Sequence, residues 1–187
     1  MTGARYSGGK KRGGAHRITK RDIVKYVIFI LLLSVLSVMQ TSFVKINGNP
    51  VGITLLFVSA VGMLYGERDG GMTGLIGGLL IDCLGGGIIY ISPLIYALVG
   101  YFCGVTVSKI LSSNLPSYIV YMLIVGIVKE AQNLFYYVML SDNLNLVQIF
   151  IDTLLPDYVA FIIFSPVIYG VAYLTYKITN YKKNKKY

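Results

Sequence analysis

Tryptophan is absent from this 187-residue sequence, histidine occurs once, cysteine twice, and acidic residues number only eight. Each scarcity removes a chemistry. The single histidine, His16, lies in a basic N-terminal segment, so no imidazole stands further along the chain for metal ligation or for a Ser-His or Cys-His mechanism. Cys83 and Cys103 fall within apolar stretches and have no CxxC or Cys/His spacing, which argues against a disulfide framework and a structural metal site. Charge is nearly missing from the middle: of the 17 basic residues, eight lie in the first 25 positions and five in the last eleven. No long internal repeat is visible, and no pair of Gly/Pro-broken segments sits at matching positions in two halves, so the inverted-repeat pattern of secondary transporters is missing.

What is present is apolar. A composition 55% hydrophobic and 13% charged is too apolar for a soluble domain of this length, and the chain reads as an integral, all-α membrane protein. A chain mostly embedded in a bilayer has no room for a soluble nucleotide-binding or hydrolase domain. The net charge of +9 flanks apolar spans rather than forming a recognition surface, so it reports orientation and contact with anionic lipid, not nucleic acid.

Hydropathy predicts six transmembrane helices, at about 23–44, 51–65, 72–92, 93–112, 117–140 and 157–176. The second is short for a crossing of roughly 30 Å. Residues 1–22, glycine-rich and basic, read as a disordered cytoplasmic tail, and residues 177–187 as a second basic tail. Both basic termini are placed in the cytoplasm by the positive-inside rule, with Arg68 and Lys109 in inner loops and Lys45, Asp142, Asp152 and Asp157 in outer ones. Between the fifth and sixth spans, residues 144–155 carry Asn145, Gln148 and Asp152 on one face, predicting an amphipathic helix lying flat on the outer surface, either capping the bundle or meeting a partner.

The polar residues inside the apolar spans are the candidate functional set. Asp82 is near the middle of the third span, on a face shared with Leu75, Gly78, Gly85, Gly86 and Ile89. Glycines at four-residue spacing (Gly62/Gly66, Gly70/Gly74, Gly74/Gly78, Gly100/Gly104) predict close helix packing, with Gly74, Gly78, Gly85, Gly86, Gly100 and Gly104 as the packing glycines. In the fifth span Lys129, Glu130, Gln132 and Asn133 form the most polar intramembrane cluster, and Gly126, Lys129, Glu130, Asn133 and Tyr136 fall on one half of the helix. Lys129 and Glu130, being adjacent, are expected to find separate partners. Counting along the helices puts Asp82 roughly 15 Å and Lys129 roughly 18 Å deep, which predicts an ion pair between them. Such a network fixes helix register, binds a partner, or lines a ligand or ion pathway. Glu67, Arg68 and Asp69, within a Gly66–Gly71 stretch, read as a cytoplasmic hairpin turn without the lysine and Ser/Thr of a phosphate loop. No nucleophile–base pair or ligand set can be assembled from Asp82, Glu130 and the hydroxyls present, so no catalytic residue, cofactor or metal is expected.

The string Pro50-x15-Gly66-x-Arg68-x-Gly70-x3-Gly74-x2-Gly77-Gly78-Leu79-Leu80-x-Asp82, followed by Gly100-Tyr101-x2-Gly104 and a late Pro166, resembles the rod shape-determining protein MreD family. Its most specific part is the GLLxD element from Gly78 to Asp82. The resemblance implies a non-enzymatic component of the cell-wall elongation machinery, acting with an MreC-like single-span protein to couple MreB filaments to peptidoglycan synthases. It also implies a six-helix fold similar to the substrate-binding subunits of energy-coupling factor transporters. Such a vitamin-binding subunit is the alternative reading, since size and span number agree. Its first helix would carry a small-residue AxxxA-type docking surface, whereas here only Ser34 and Ser37 stand there, at the wrong spacing.

Overall fold

A computed structural model describes residues 20–46, 49–85, 91–109, 114–140 and 146–181. Most of the two basic tails, Gly86, Ile89, Asp142 and Asn145 lie outside these residues. The elements are α1 (Lys20–Ser42), a short hairpin of β1 (Lys45–Ile46) and β2 (Asn49–Pro50), α2 (Ile53–Tyr65), α3 (Glu67–Gly85), α4 (Ser92–Lys109), α5 (Leu115–Leu140), α6 (Leu146–Ile149), a π-helical turn (Phe150–Leu154) and α7 (Leu155–Tyr181).

The centre of the bundle is α2. Apolar on every side, it buries 11 of its 13 residues, as an all-round hydrophobic helix must. Helices α1, α3, α4 and α7 surround it, and α5 packs chiefly on α7. Thirteen residues rise only roughly 20 Å, short of a bilayer core of roughly 30 Å. Phe29 and Leu33 of α1, Tyr118 and Met122 of α5 and Phe161 of α7 complete the core around it. The Tyr118 hydroxyl donates to the Leu56 carbonyl at 2.7 Å, tying α5 to α2. Tyr118→Phe keeps the ring and loses this bond, so thermal unfolding followed by circular dichroism should show a loss of about 1 kcal/mol.

Large apolar side chains also cover the outside of the bundle; Ile127, Ile163 and Leu94 are each more than 60% exposed. Three helical stretches, Ile23–Ser42, Leu115–Met139 and Val147–Thr179, are long and apolar enough to cross a membrane, while α2 and the apolar part of α4 are shorter. The chain is therefore a helical membrane protein.

Several predicted boundaries shift. Helix α1 begins at Lys20 and α7 runs to Tyr181, so both helices extend into segments assigned to tails. Hydropathy marks where apolar residues stop, whereas Lys and Arg are good helix formers that prolong a helix into water. Helix α3 begins at Glu67 instead of residue 72 and is described to Gly85. The turn before it is a single residue, Gly66, whose φ of 104° is open to glycine at little cost. Glu67, Arg68 and Asp69 thus form the first turn of α3 and not a hairpin loop, and the two acids there complement the positive end of the helix dipole. Asp69 accepts from Lys25 Nζ at 2.7 Å and from the Tyr26 hydroxyl at 2.6 Å, anchoring α3 to α1, while Glu67 and Arg68 are exposed.

The segment expected to lie flat as a separate amphipathic helix runs without interruption from residue 146 into α7. Its turn is π-helical, with the Leu155 N–H bonded to the Phe150 carbonyl five residues back. Pro156 follows immediately. Proline lacks an N–H and crowds the carbonyl four residues earlier, and a widened turn there accommodates it without ending the helix.

Candidate functional site

At one end of the bundle is an open cavity of about 340 Å³ whose largely apolar wall carries a set of polar side chains. It is built where α1 ends, the hairpin crosses, α3 ends, α4 begins and the second half of α5 passes. Gln40, Asn49, Asp82, Ser92, Gln132, Asn133 and the rings of Tyr96, Tyr136 and Tyr137 line it, and Lys129 forms part of its wall.

Each polar side chain is placed by a backbone requirement or by a neighbour. Ser92 opens α4, whose first N–H groups have no partner within the helix. Asp82 Oδ2 accepts the Ser92 N–H at 3.2 Å, so the acid of the GLLxD element caps α4 and meets the positive end of its dipole. The Ser92 hydroxyl accepts from Gln132 Nε2 at 2.9 Å, joining α4 to α5. Gln40 Oε1 takes the Thr54 N–H at 2.9 Å, serving the start of α2 in the same way. Asn49 Oδ1 accepts the Tyr137 hydroxyl at 2.6 Å, which holds the hairpin against α5.

Beside the cavity lies a buried ionic cluster. The Lys129 ammonium contacts Asp157 Oδ2 at 2.5 Å and Glu130 Oε1 at 3.0 Å. Asn133 Nδ2 lies 3.2 Å from both Glu130 Oε2 and Asp157 Oδ2, completing a four-residue network between α5 and α7. Lys129 is 4% exposed and Asp157 0%, and Gly52 leaves room for the lysine stem to pack against the chain before α2. Asp157 Oδ1 is buried with no partner.

This arrangement corrects three expectations. The ion pair between Asp82 and Lys129 is not formed: Lys129 turns to Asp157, and no cation stands within 4 Å of Asp82 among the described residues. Similar depth along two helices says nothing of which helices are neighbours, and α5 packs on α7. Asp157 is not in an outer loop but in the first turn of α7, fully buried. Lys129 and Glu130 do meet, because the long lysine side chain reaches the Glu130 carboxylate as well as that of Asp157.

The packing glycines also sort themselves. A Cβ on Gly74 would overlap the Tyr96 carbonyl, one on Gly78 the Pro93 backbone, one on Gly100 the Gly70 carbonyl and one on Gly104 the Glu67 backbone. Gly62 and Gly70, which the four-residue spacing also marks, are equally tight against the Gly100 carbonyl. Among the described residues nothing lies within 4 Å of a Cβ placed on Gly85. Leu75, placed on the Asp82 face by a seven-residue count, is 50% exposed, because the α3–α4 contact follows the four-residue row Gly70, Gly74, Gly78, Asp82. Ridges of that spacing are inclined to the helix axis, so the buried stripe drifts away from Leu75.

Sequence reasoning passed over Asp157, Ser92, Gln40, Asn49 and Tyr137. An acid directly after Pro156 at the head of an apolar run, with an unpartnered lysine elsewhere in the bilayer, was the available signal for the first. No protein-family model, curated protein or solved structure matches the chain.

Proposed function

We propose that this chain is a multi-pass, non-enzymatic scaffold of the bacterial cell-wall elongation machinery, of the MreD kind. In this reading it has six spans in the plasma membrane, both termini cytoplasmic, and the basic tails against anionic lipid. It acts with an MreC-like single-span protein to link MreB filaments to peptidoglycan synthases.

The observation that carries the reading is that the residues of the resemblance make one structural unit. Gly66 turns α2 into α3, Gly70, Gly74 and Gly78 seat α4, Gly100 and Gly104 return the contact, and Asp82 caps α4. A motif spent on joining three helices, with its acid on a backbone N–H, suits a protein that offers a fixed shape to partners. The apolar outer surface of α5 and α7, with Ile127 and Ile163 outward, gives partner helices a place to pack.

The cavity favours a second reading, the substrate-binding subunit of an energy-coupling factor vitamin transporter. Mass spectrometry of proteins that co-purify with the tagged chain from gently solubilised native membranes separates the two. Recovery of an MreC-like protein with wall synthases is the expected result; recovery of paired ATPases and their membrane coupling subunit would sink the scaffold reading. Cysteine-accessibility labelling at Lys45 and Arg68 tests the topology, with label from outside expected only at position 45.

A further inference from the structure

The cavity itself has a charge and a hydrogen-bonding polarity that specify a ligand. Three carboxylates, Asp82, Glu130 and Asp157, stand in or beside it against one ammonium, that of Lys129. Lys129 is held by two of them. Asp82 is left 4% exposed, with one oxygen on the Ser92 N–H and no cation within reach. A buried carboxylate in an apolar bundle is expensive unless a positive group compensates it.

The amides near Asp82 keep acceptor capacity. Gln132 gives one N–H to Ser92 and Asn133 Nδ2 lies against Glu130 and Asp157, and among the described residues no donor is bonded to either amide's carbonyl oxygen, which leaves both as acceptors. Asn49 is the reverse: its oxygen is taken by Tyr137, and its buried Nδ2 has no partner. One part of the cavity therefore offers acceptors and negative charge, while the hairpin wall offers a donor. Tyr96, Tyr136 and Tyr137 also line the cavity, and aromatic rings attract cations. A volume of about 340 Å³ falls within the range of small-molecule sites, roughly 300–1,000 Å³.

We propose that this cavity binds a small organic cation of the amino alcohol or amino sugar class, its primary ammonium on the free oxygen of Asp82 and the carbonyls of Gln132 and Asn133, and a hydroxyl on Asn49 Nδ2. Phosphates and carboxylates are rejected by the surplus negative charge. The site stands on this chain's own residues and holds for either reading of its function.

Matched ligand pairs that differ only by ammonium against hydroxyl test the assignment on the purified full chain in detergent: ethanolamine with ethylene glycol, serinol with glycerol, and glucosamine with glucose. Titration calorimetry or saturation-transfer NMR reads binding. At least one amine should bind about tenfold or more tighter than its hydroxyl partner, the preference expected of a charge-assisted hydrogen bond. Asp82→Asn, which keeps an oxygen for the Ser92 N–H, should erase that preference, and Asn49→Ala should weaken the same amine. No binding by any amine, equal binding of a pair, or an unchanged preference in Asp82→Asn would overturn the proposal. The wild-type comparison decides even if the Asp82 variant does not fold, and co-purification results are independent of it.

Discussion

Lys129→Met should lower the stability of the bundle by about 3–5 kcal/mol, because it leaves Glu130 and Asp157 buried together without a counter-charge. Asp157→Asn should cost less, since the ammonium keeps Glu130 and the Asn133 amide keeps an oxygen to meet. The informative variant is the triple Lys129→Met, Glu130→Gln, Asp157→Asn. A buried ion cluster replaced as a whole is often no less stable than the original, so most of the loss should be recovered. Unfolding followed by circular dichroism suits a chain without tryptophan. If the triple variant is also restored in partner recovery, the cluster holds helices α5 and α7 in register and does nothing else. If it is stable yet fails to recover partners, the charges themselves take part in recognition. A single Lys129→Met variant with wild-type stability would show that the two acids are protonated in the membrane, and the ionic description of the cluster would fall.

Gly100→Ala is expected to sit at the upper end of the about 1–3 kcal/mol that overpacking costs, despite the roughly 1 kcal/mol by which alanine favours a helix over glycine. The new methyl would meet the Gly70 carbonyl, and backbone cannot rotate aside as a side chain can. Only a separation of α3 from α4 makes room, and that separation also pulls Ser92 from Asp82. Gly74→Ala, against the Tyr96 carbonyl, should behave alike. Gly85→Ala meets nothing and should stay within about 0.5 kcal/mol of wild type. Size-exclusion profiles and melting temperatures of the three variants, produced in parallel, check the order. Equal behaviour of Gly85→Ala and Gly100→Ala would mean that α3 and α4 do not approach as described. A damaged Gly100→Ala protein should also lose its co-purifying partners, which tests whether the glycine unit is what those partners recognise in folded form.

Composition, hydropathy and spacing settled that the chain is helical and membrane-embedded, that glycines of the third and fourth apolar segments pack closely, and that the polar positions of α5 face inward. These are local properties: four-residue glycine spacing and a 3.6-residue period are written along one helix and need no knowledge of its neighbours. What the tertiary structure decided is which element each of these faces meets. Helix α2 became the buried centre of the bundle, surrounded by α1, α3, α4 and α7. Asp157, a loop acid by hydropathy, became the partner of Lys129 because α7 starts earlier and lies against α5. Asp82 was thereby released from that lysine to cap α4 and to leave an uncompensated negative charge in the cavity. Charge pairing depends on the crossing of helices distant in sequence, and no period along a single helix encodes that crossing.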